Sequence, residues 1–264
     1  MKAVILAGGR GKRMRPVTDY VPKPLVPVCN VPILEWQIRH LARFGIRDVI
    51  VCTGYKAGMI RDRIGAKSYG ARVEVSAEEA PLGTGGAIRR AAGHIGRDDS
   101  FVVMNGDVIT DIDIGALTKV RNSVAAIPLR TNYGVMRLGD GGDAGDGDGD
   151  GGGGNTGGAG PGHDPYTIAR FDEKRDMLGL WMNAGLYHLG REVLAELPEV
   201  GDIEKTLFPK YAESGRLRAV VFGESATVGD MPVMWQSVDS IKDLEACESM
   251  LRERGLGTGA AGPG

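Results

Sequence analysis

Short apolar runs alternate with stretches of helical periodicity along this chain, and that alternation constrains its fold more than any other feature. Residues 3–7, 48–52, 101–104 and 124–128 are too short for helices and too apolar for half-exposed strands. They read as strands buried on both faces, as in a parallel sheet. Val73 and Val75 alternate with polar residues, as a further strand would. Between these runs, residues 33–44 place Leu34, Ile38, Leu41 and Phe44 at helical spacing, and Gly45 stops them. Residues 59–64, 84–92 and 112–120 read as shorter helices. Later come strands at 183–189, 217–222 and 234–238 and helices at 192–197, 203–214 and 241–254. The expected fold is α/β: a Rossmann-like three-layer αβα arrangement with a mixed, mostly parallel central sheet, in one domain over residues 1–254. Ligands of such sheets sit beyond the carboxyl ends of strands, which points to residues 8–15 and to Asp107.

The composition breaks once. Residues 139–164 are almost entirely Gly and Asp, with no apolar residue larger than Ala or Pro. Such a stretch buries nothing to offset the entropy of ordering, so a disordered surface insertion is expected, between strands near 133–138 and 166–171. Gly-Asp-Gly-Asp invites a calcium-repeat reading, but that repeat needs a regular apolar position and none is present. Residues 255–264 read as a flexible tail.

A net charge of -2 excludes general nucleic-acid binding, so any phosphate recognition must be local. Hydrophobic residues make up 42% of the 264, enough for a real core. Cys29, Cys52 and Cys247 are odd in number and far apart, fitting neither a disulfide framework nor metal-ligand spacing. Free thiols point to a reducing, cytoplasmic setting. No signal-peptide core and no run of about 18 apolar residues is present, so no membrane association is expected.

The strongest local signal is Leu6-Ala7-Gly8-Gly9-Arg10-Gly11-Lys12-Arg13-Met14-Arg15-Pro16. Glycines directly after a buried strand let backbone N–H groups approach and cradle phosphate. Lys12, Arg13 and Arg15 add positive charge at the same place. The Walker pattern fails, because Arg13 follows Lys12 and Leu6 stands at the first glycine; the dinucleotide fingerprint fails at Met14. Next comes Pro22-Lys23-Pro24, where two prolines would hold Lys23 on a stiff, extended backbone. From that segment alone, a solvated loop lysine stands as an equal alternative.

Together these segments resemble the signature of the sugar nucleotidyltransferase family: Gly8-Gly9-x-Gly11-x-Arg13-x-x-Pro16-x-Thr18, then Pro22-Lys23-Pro24-x-x-Pro27. The resemblance continues through Leu82-Gly83-Thr84-Gly85-Gly86-Ala87, Asn105-Gly106-Asp107, Phe171-x-Glu173-Lys174, Asn183-Ala184-Gly185-Leu186-Tyr187 and Trp235 to Leu244. It implies a Mg2+-dependent enzyme that joins an NTP and a sugar 1-phosphate and releases pyrophosphate. Arg13, Lys23 and Asp107 would be catalytic: Arg13 on the leaving pyrophosphate, Lys23 on the sugar phosphate and α-phosphate, Asp107 on the metal. Leu6, Ala7, Gly8, Gly9, Gly11, Lys12, Leu82, Gly83 and Thr84 would bind the nucleotide. Glu173, Asn183 and Gly185 would bind the sugar, with Lys174 near its phosphate. Dimers and tetramers are common in the family, so a homo-oligomer is also implied. Most active members carry Thr where Lys12 stands.

The second metal ligand is less direct. Many members read Trp-x-Asp near the end, whereas here Ser237 takes the acidic position and Asp239 follows two residues later. On a strand, residues two apart share a face, which gives Asp239 the metal role; the alternative is an N-cap of the last helix. Asp243 reads as a helix-surface residue, Asp111 and Asp113 as turn and N-cap, and Trp36 as core. His40, His94, His163 and His188 are scattered, with no catalytic pattern. The motif at residues 82–88 resembles mannose or heptose phosphate guanylyltransferases, and the segment at 235–239 resembles cytidylyltransferases; guanylyl transfer is the expectation. Two other classes fit less well. A silent regulatory subunit would usually lack Arg13 or Lys23, and a glycosyltransferase would not need the triphosphate loop.

Overall fold

The computed structural model describes residues 1–65, 69–130, 135–138, 168–172, 176–223, 227–228 and 231–256. The expected insertion at 139–164, with His163, lies outside the described residues, as do Glu173, Lys174 and residues 257–264. Seven strands form the main sheet: β1 (Lys2–Ala7), β2 (Asp48–Thr53), β3 (Arg72–Ala77), β4 (Ser100–Asn105), β5 (Ser123–Arg130), β6 (Asp176–Gly190) and β7 (Arg218–Val221). Their order is β7-β5-β6-β4-β1-β2-β3. β1 pairs in parallel with β2 and β4, β2 with β3, and β5 with β7, while β6 runs antiparallel to β4. The sheet is therefore mixed and mostly parallel, as expected.

Helices cover both faces: α1 (Ile33–Arg43), α2 (Ala57–Gly65), α3 (Gly83–Arg90), α4 (Ala92–Ile95), α5 (Ile114–Thr118), α6 (Val193–Glu196), α7 (Ile203–Glu213) and α8 (Ile241–Glu253). Side chains of β1 alternate between the two layers with the strand's period of two. Ala3, Ile5 and Ala7 pack with Leu34, Ile38 and Leu41 of α1 and with Ile114 and Leu117 of α5. Val4 packs on the opposite face with Ile88 of α3, Ile95 of α4 and Leu207 of α7. Covering both faces is why β1 reads as a continuous apolar run. The helix expected at 112–120 is shorter because Asp113 caps it, its side chain accepting the Ala116 N–H at 3.0 Å.

A third apolar cluster carries the site. Met14, Val26, Val28, Ile33, Val238, Cys247 and Leu251 pack together, joining the glycine loop, the proline-rich segment and α8. Trp36 packs against this cluster, as expected of a core residue, and its indole N–H donates to the Val28 carbonyl at 3.1 Å. All three cysteines are buried and free. The chain divides into two compact units, Met1–Ile127 with Met182–Gly264, and Pro128–Trp181. In the second unit, Val135–Leu138 pairs antiparallel with Ile168–Asp172, where the sequence predicts two strands. No helix among the described residues is long and apolar enough to cross a membrane.

Candidate active site

The glycine loop leaves the carboxyl end of β1 in the middle of the sheet. Gly11 adopts a left-handed φ of 61°. A Cβ there would lie 2.9 Å from Thr18 Cγ2 and 3.1 Å from Lys23 Cβ, so only glycine lets the Lys23 segment come this close. Lys12–Met14 then forms a 3-10 turn, anchored by fully buried Met14, and leaves the Arg13 side chain 76% exposed. Gly106 fits against the end of β1, donating its N–H to the Leu6 carbonyl at 2.9 Å. That contact holds Asp107 directly above the loop.

Lys23 departs from one expectation and from one of two alternatives. Its backbone begins a 3-10 turn, Lys23–Leu25, rather than continuing extended, and its side chain is only 11% exposed rather than solvated. The ammonium lies 2.9 Å from Asp107 Oδ2 and 2.6 Å from Asp239 Oδ1. Arg13 Nη2 reaches Asp239 Oδ2 at 3.3 Å. Burial pushes the Asp239 carboxyl up, but the Lys23 hydrogen bond and charge, with Arg13, outweigh it and hold it below the ordinary carboxylate value.

Asp239 is neither on a strand nor an N-cap. The strand ends early, as Trp235–Ser237, paired antiparallel with Val108–Thr110 so that Ser237 faces Val108. The Val238 N–H then donates to the Asp107 carbonyl at 2.9 Å, and the following turn swings Asp239 to Lys23. Ser237 Oγ donates to Asp239 Oδ2 at 3.3 Å. Ser240 caps α8 instead, in a capping box with Asp243. Asp243 is thus not a bare surface residue: it accepts the backbone N–H groups of Asp239 and Ser240 at 3.1 and 2.8 Å and so fixes the turn carrying Asp239.

An open cavity of about 260 Å³ lies over this cluster, lined by Leu6, Ala7, Gly9, Gly11, Lys12, Arg13, Lys23, Pro24, Gly106, Asp107 and Asp239. The three residues assigned catalytic roles from the sequence meet here with Asp239. Gly8 lies just behind, where a Cβ would come 2.5 Å from Glu78 Oε1. Glu78 is a residue the sequence reading missed; its one legible signal is its place just past the end of β3.

Leu82, Gly83 and Thr84 are not among the cavity's lining residues; they dock on the start of α7. Gly85 and Gly86 donate to the Gly201 carbonyl, and Gly201 donates to the Leu82 carbonyl at 2.8 Å. A Cβ on Gly83 would lie 2.6 Å from Gly201 C, and one on Gly86 2.5 Å from Glu199 O. Packing of α3 therefore demands these glycines. On β6, the Asn183 amide is engaged within the chain, accepting the Gly185 N–H at 2.8 Å and donating to the Tyr187 hydroxyl at 2.9 Å. Gly185 has φ 71°, and a Cβ there would lie 2.7 Å from Asn105 Nδ2. Of the histidines, His40 is buried and bonded to the Ile112 carbonyl at 3.0 Å, His94 meets Glu74 and His188 the Val120 carbonyl.

The model of the nucleotidyl transferase family matches residues 2–253. A mannose-1-phosphate guanyltransferase 2 of Candida glabrata is 32% identical, over 93% of this chain and 63% of that protein. A mannose-1-phosphate guanylyltransferase of Mycobacterium tuberculosis is 31% identical, over 92% of this chain and 64% of that protein. The chain thus spans somewhat under two thirds of the length of these relatives. HddC from Yersinia pseudotuberculosis shares the fold, with a TM-score of 0.65 at 24% identity, covering 94% of this chain and 99% of that one.

Proposed function

This chain belongs to the nucleotidyl transferase family, and we propose that it joins a nucleoside triphosphate to a sugar 1-phosphate, giving an NDP-sugar and pyrophosphate. The observation that carries this reading is the convergence of Lys23, Arg13, Asp107 and Asp239 on a glycine-loop cavity. The nucleophile would be a phosphate oxygen, already anionic near neutral pH, so no general base is needed. The barrier lies in bringing polyanions together and in the charge that builds on the leaving pyrophosphate. Arg13, exposed at the mouth, would meet the β- and γ-phosphates. Lys23 would hold the sugar phosphate against the α-phosphate for in-line attack. Backbone N–H groups of the loop and the Lys12 ammonium would add to the triphosphate cradle.

The donor set fits a hard divalent cation. Asp107 and Asp239 aim carboxylate oxygens at one cationic point, now the Lys23 ammonium. Among the described residues no group of three or more His, Cys, Asp or Glu side chains forms a metal cluster. A two-carboxylate site leaves positions for water and phosphate, which suits Mg2+. When bound, the cation would supply charge neutralisation at the α-phosphate.

The ~30% identical mannose-1-phosphate guanylyltransferases support guanylyl transfer to a mannose-type sugar phosphate. Glu78 stands beside the loop, its Oε1 against Gly8 and Gly54 and its Oε2 accepting the Leu82 N–H at 3.2 Å. The test is a matrix of NTPs against sugar 1-phosphates with Mg2+, read as pyrophosphate release. GTP with mannose 1-phosphate should lead, and no release from any pair would overturn the proposal.

A further inference from the structure

A directional hydrogen-bond chain links the start of α3 to Asn183 and Gly185 of β6 through a residue with no assigned role. Thr84 Oγ1 donates to Glu204 Oε2 at 2.5 Å, and the Tyr187 hydroxyl donates to Glu204 Oε1 at 2.9 Å. Each hydroxyl also accepts: Thr84 from the Ile203 N–H at 2.9 Å, and Tyr187 from Asn183 Nδ2 at 2.9 Å, with the Asn105 side chain also bonded to it. Asn183 Oδ1 then accepts the Gly185 N–H at 2.8 Å. Within this set of bonds the Glu204 carboxylate accepts from both sides and donates to neither. Tyr187 is fully buried, so its hydroxyl has no solvent to turn to. Glu204 lies in the first turn of α7, where the helix N-terminus favours a carboxylate.

We propose that Glu204 is a positioning residue that fixes the Leu82–Thr84 segment at the start of α3 and the Asn183–Gly185 segment of β6 in one arrangement. The inference rests on the proposed reaction and on the resemblance, which gives Leu82, Gly83 and Thr84 to the nucleotide and Asn183 and Gly185 to the sugar. Glu204 touches neither substrate in this role; it sets where both binding elements stand. Removing its carboxylate leaves two hydroxyl donors without an acceptor, and each segment is then free to shift separately.

The test is steady-state pyrophosphate release with each substrate varied in turn. Glu204→Ala should raise the KM for the nucleotide and for the sugar phosphate each by about tenfold, the scale of one unpaired buried donor. Tyr187→Phe keeps the Thr84–Glu204 bond, so it should raise the sugar-phosphate KM and leave the nucleotide KM unchanged. Glu196→Gln is the control, since Glu196 pairs with Tyr211 and Arg216 of the α7 region without touching this chain of bonds. It should lower the melting temperature and move neither KM. Equal KM values in Glu204→Ala and the control, or a nucleotide effect in Tyr187→Phe as large as the sugar effect, would overturn the assignment. Should Glu204→Ala not fold, Glu204→Gln decides: its amide nitrogen must face a hydroxyl that donates, so at least one KM should rise about threefold. Two wild-type KM values would refute the role. Wild-type turnover tests the underlying reaction, so the two failures are distinguishable.

Discussion

Lys23→Met isolates the electrostatic centre of the site. Methionine keeps an unbranched apolar stem of similar reach and removes the ammonium. In the native site that ammonium sits 2.9 and 2.6 Å from the Asp107 and Asp239 carboxylates, with its side chain 11% exposed. At an effective dielectric of about 20, each pair has a gross attraction of about 6 kcal/mol. Desolvation offsets most of that, and breaking a buried pair costs a net of about 3–5 kcal/mol. Both carboxylates retain solvent access, at 30% and 29% exposure. The net loss should therefore fall lower, at about 2–3 kcal/mol. In a protein of this size that lowers the melting temperature by roughly 5–10 °C.

Divalent cation should reverse the loss. With the ammonium gone, Asp107 and Asp239 offer their oxygens to an ion without displacing a resident charge. An ion at about a hundred times its Kd stabilises the fold by about 2.7 kcal/mol, close to the whole deficit. Thermal melts in EDTA and in Mn2+ or Mg2+, for wild type, Lys23→Met and Lys23→Met with Asp107→Asn, check this. The single variant should melt low in EDTA and gain more from the ion than wild type does. The double variant should lose that gain. Equal melting of wild type and Lys23→Met in EDTA, or equal gains from the ion, would refute the idea that Lys23 is the counter-charge holding the two carboxylates together.

Two further outcomes are expected. Arg13→Ala should cut turnover by about a hundredfold or more, the scale of losing one transition-state charge contact, while leaving the melting temperature nearly unchanged because the side chain is 76% exposed; near-normal turnover in the pyrophosphate assay would sink its role. Burial holds the His40 imidazole down at about 4 from its ordinary 6.5. The unfolded chain takes up that proton first, so stability should be full above about pH 6.5 and fall as the pH drops toward about 4. Urea midpoints across that window should fall less steeply in His40→Gln, and an unchanged slope would remove His40 from the account.

The layers of the fold were legible because each rests on local patterns. β1 is apolar from Ala3 to Ala7 since both of its faces are covered, and α1 shows its stripe at Leu34, Ile38 and Leu41. The loop chemistry was legible for the same reason: glycines and cations stand together in one segment. Asp239 was legible by type but not by geometry. Its reach depends on a strand that ends at Ser237, on the Val238 bond to Asp107 and on a capping box that begins at Ser240, none of which has a periodic signature.

Glu78 and Glu204 were not legible, and the reason is general. The chain has 34 acidic residues, and beyond Glu78's place just past β3 nothing in the neighbours of these two marks them out. Glu204 acquires its place from Thr84, 120 residues away, and from Tyr187. The glycines at 83, 85 and 86 carry the converse lesson. A glycine in a sequence states that a Cβ is excluded there, not what excludes it. A phosphate, a base and another backbone leave the same mark. Here Gly201, Pro198 and Glu199 occupy the space that a Cβ on Gly83, Gly85 or Gly86 would need. The same motif seats α3 on the start of α7, and that seat is what lets Thr84 meet Glu204.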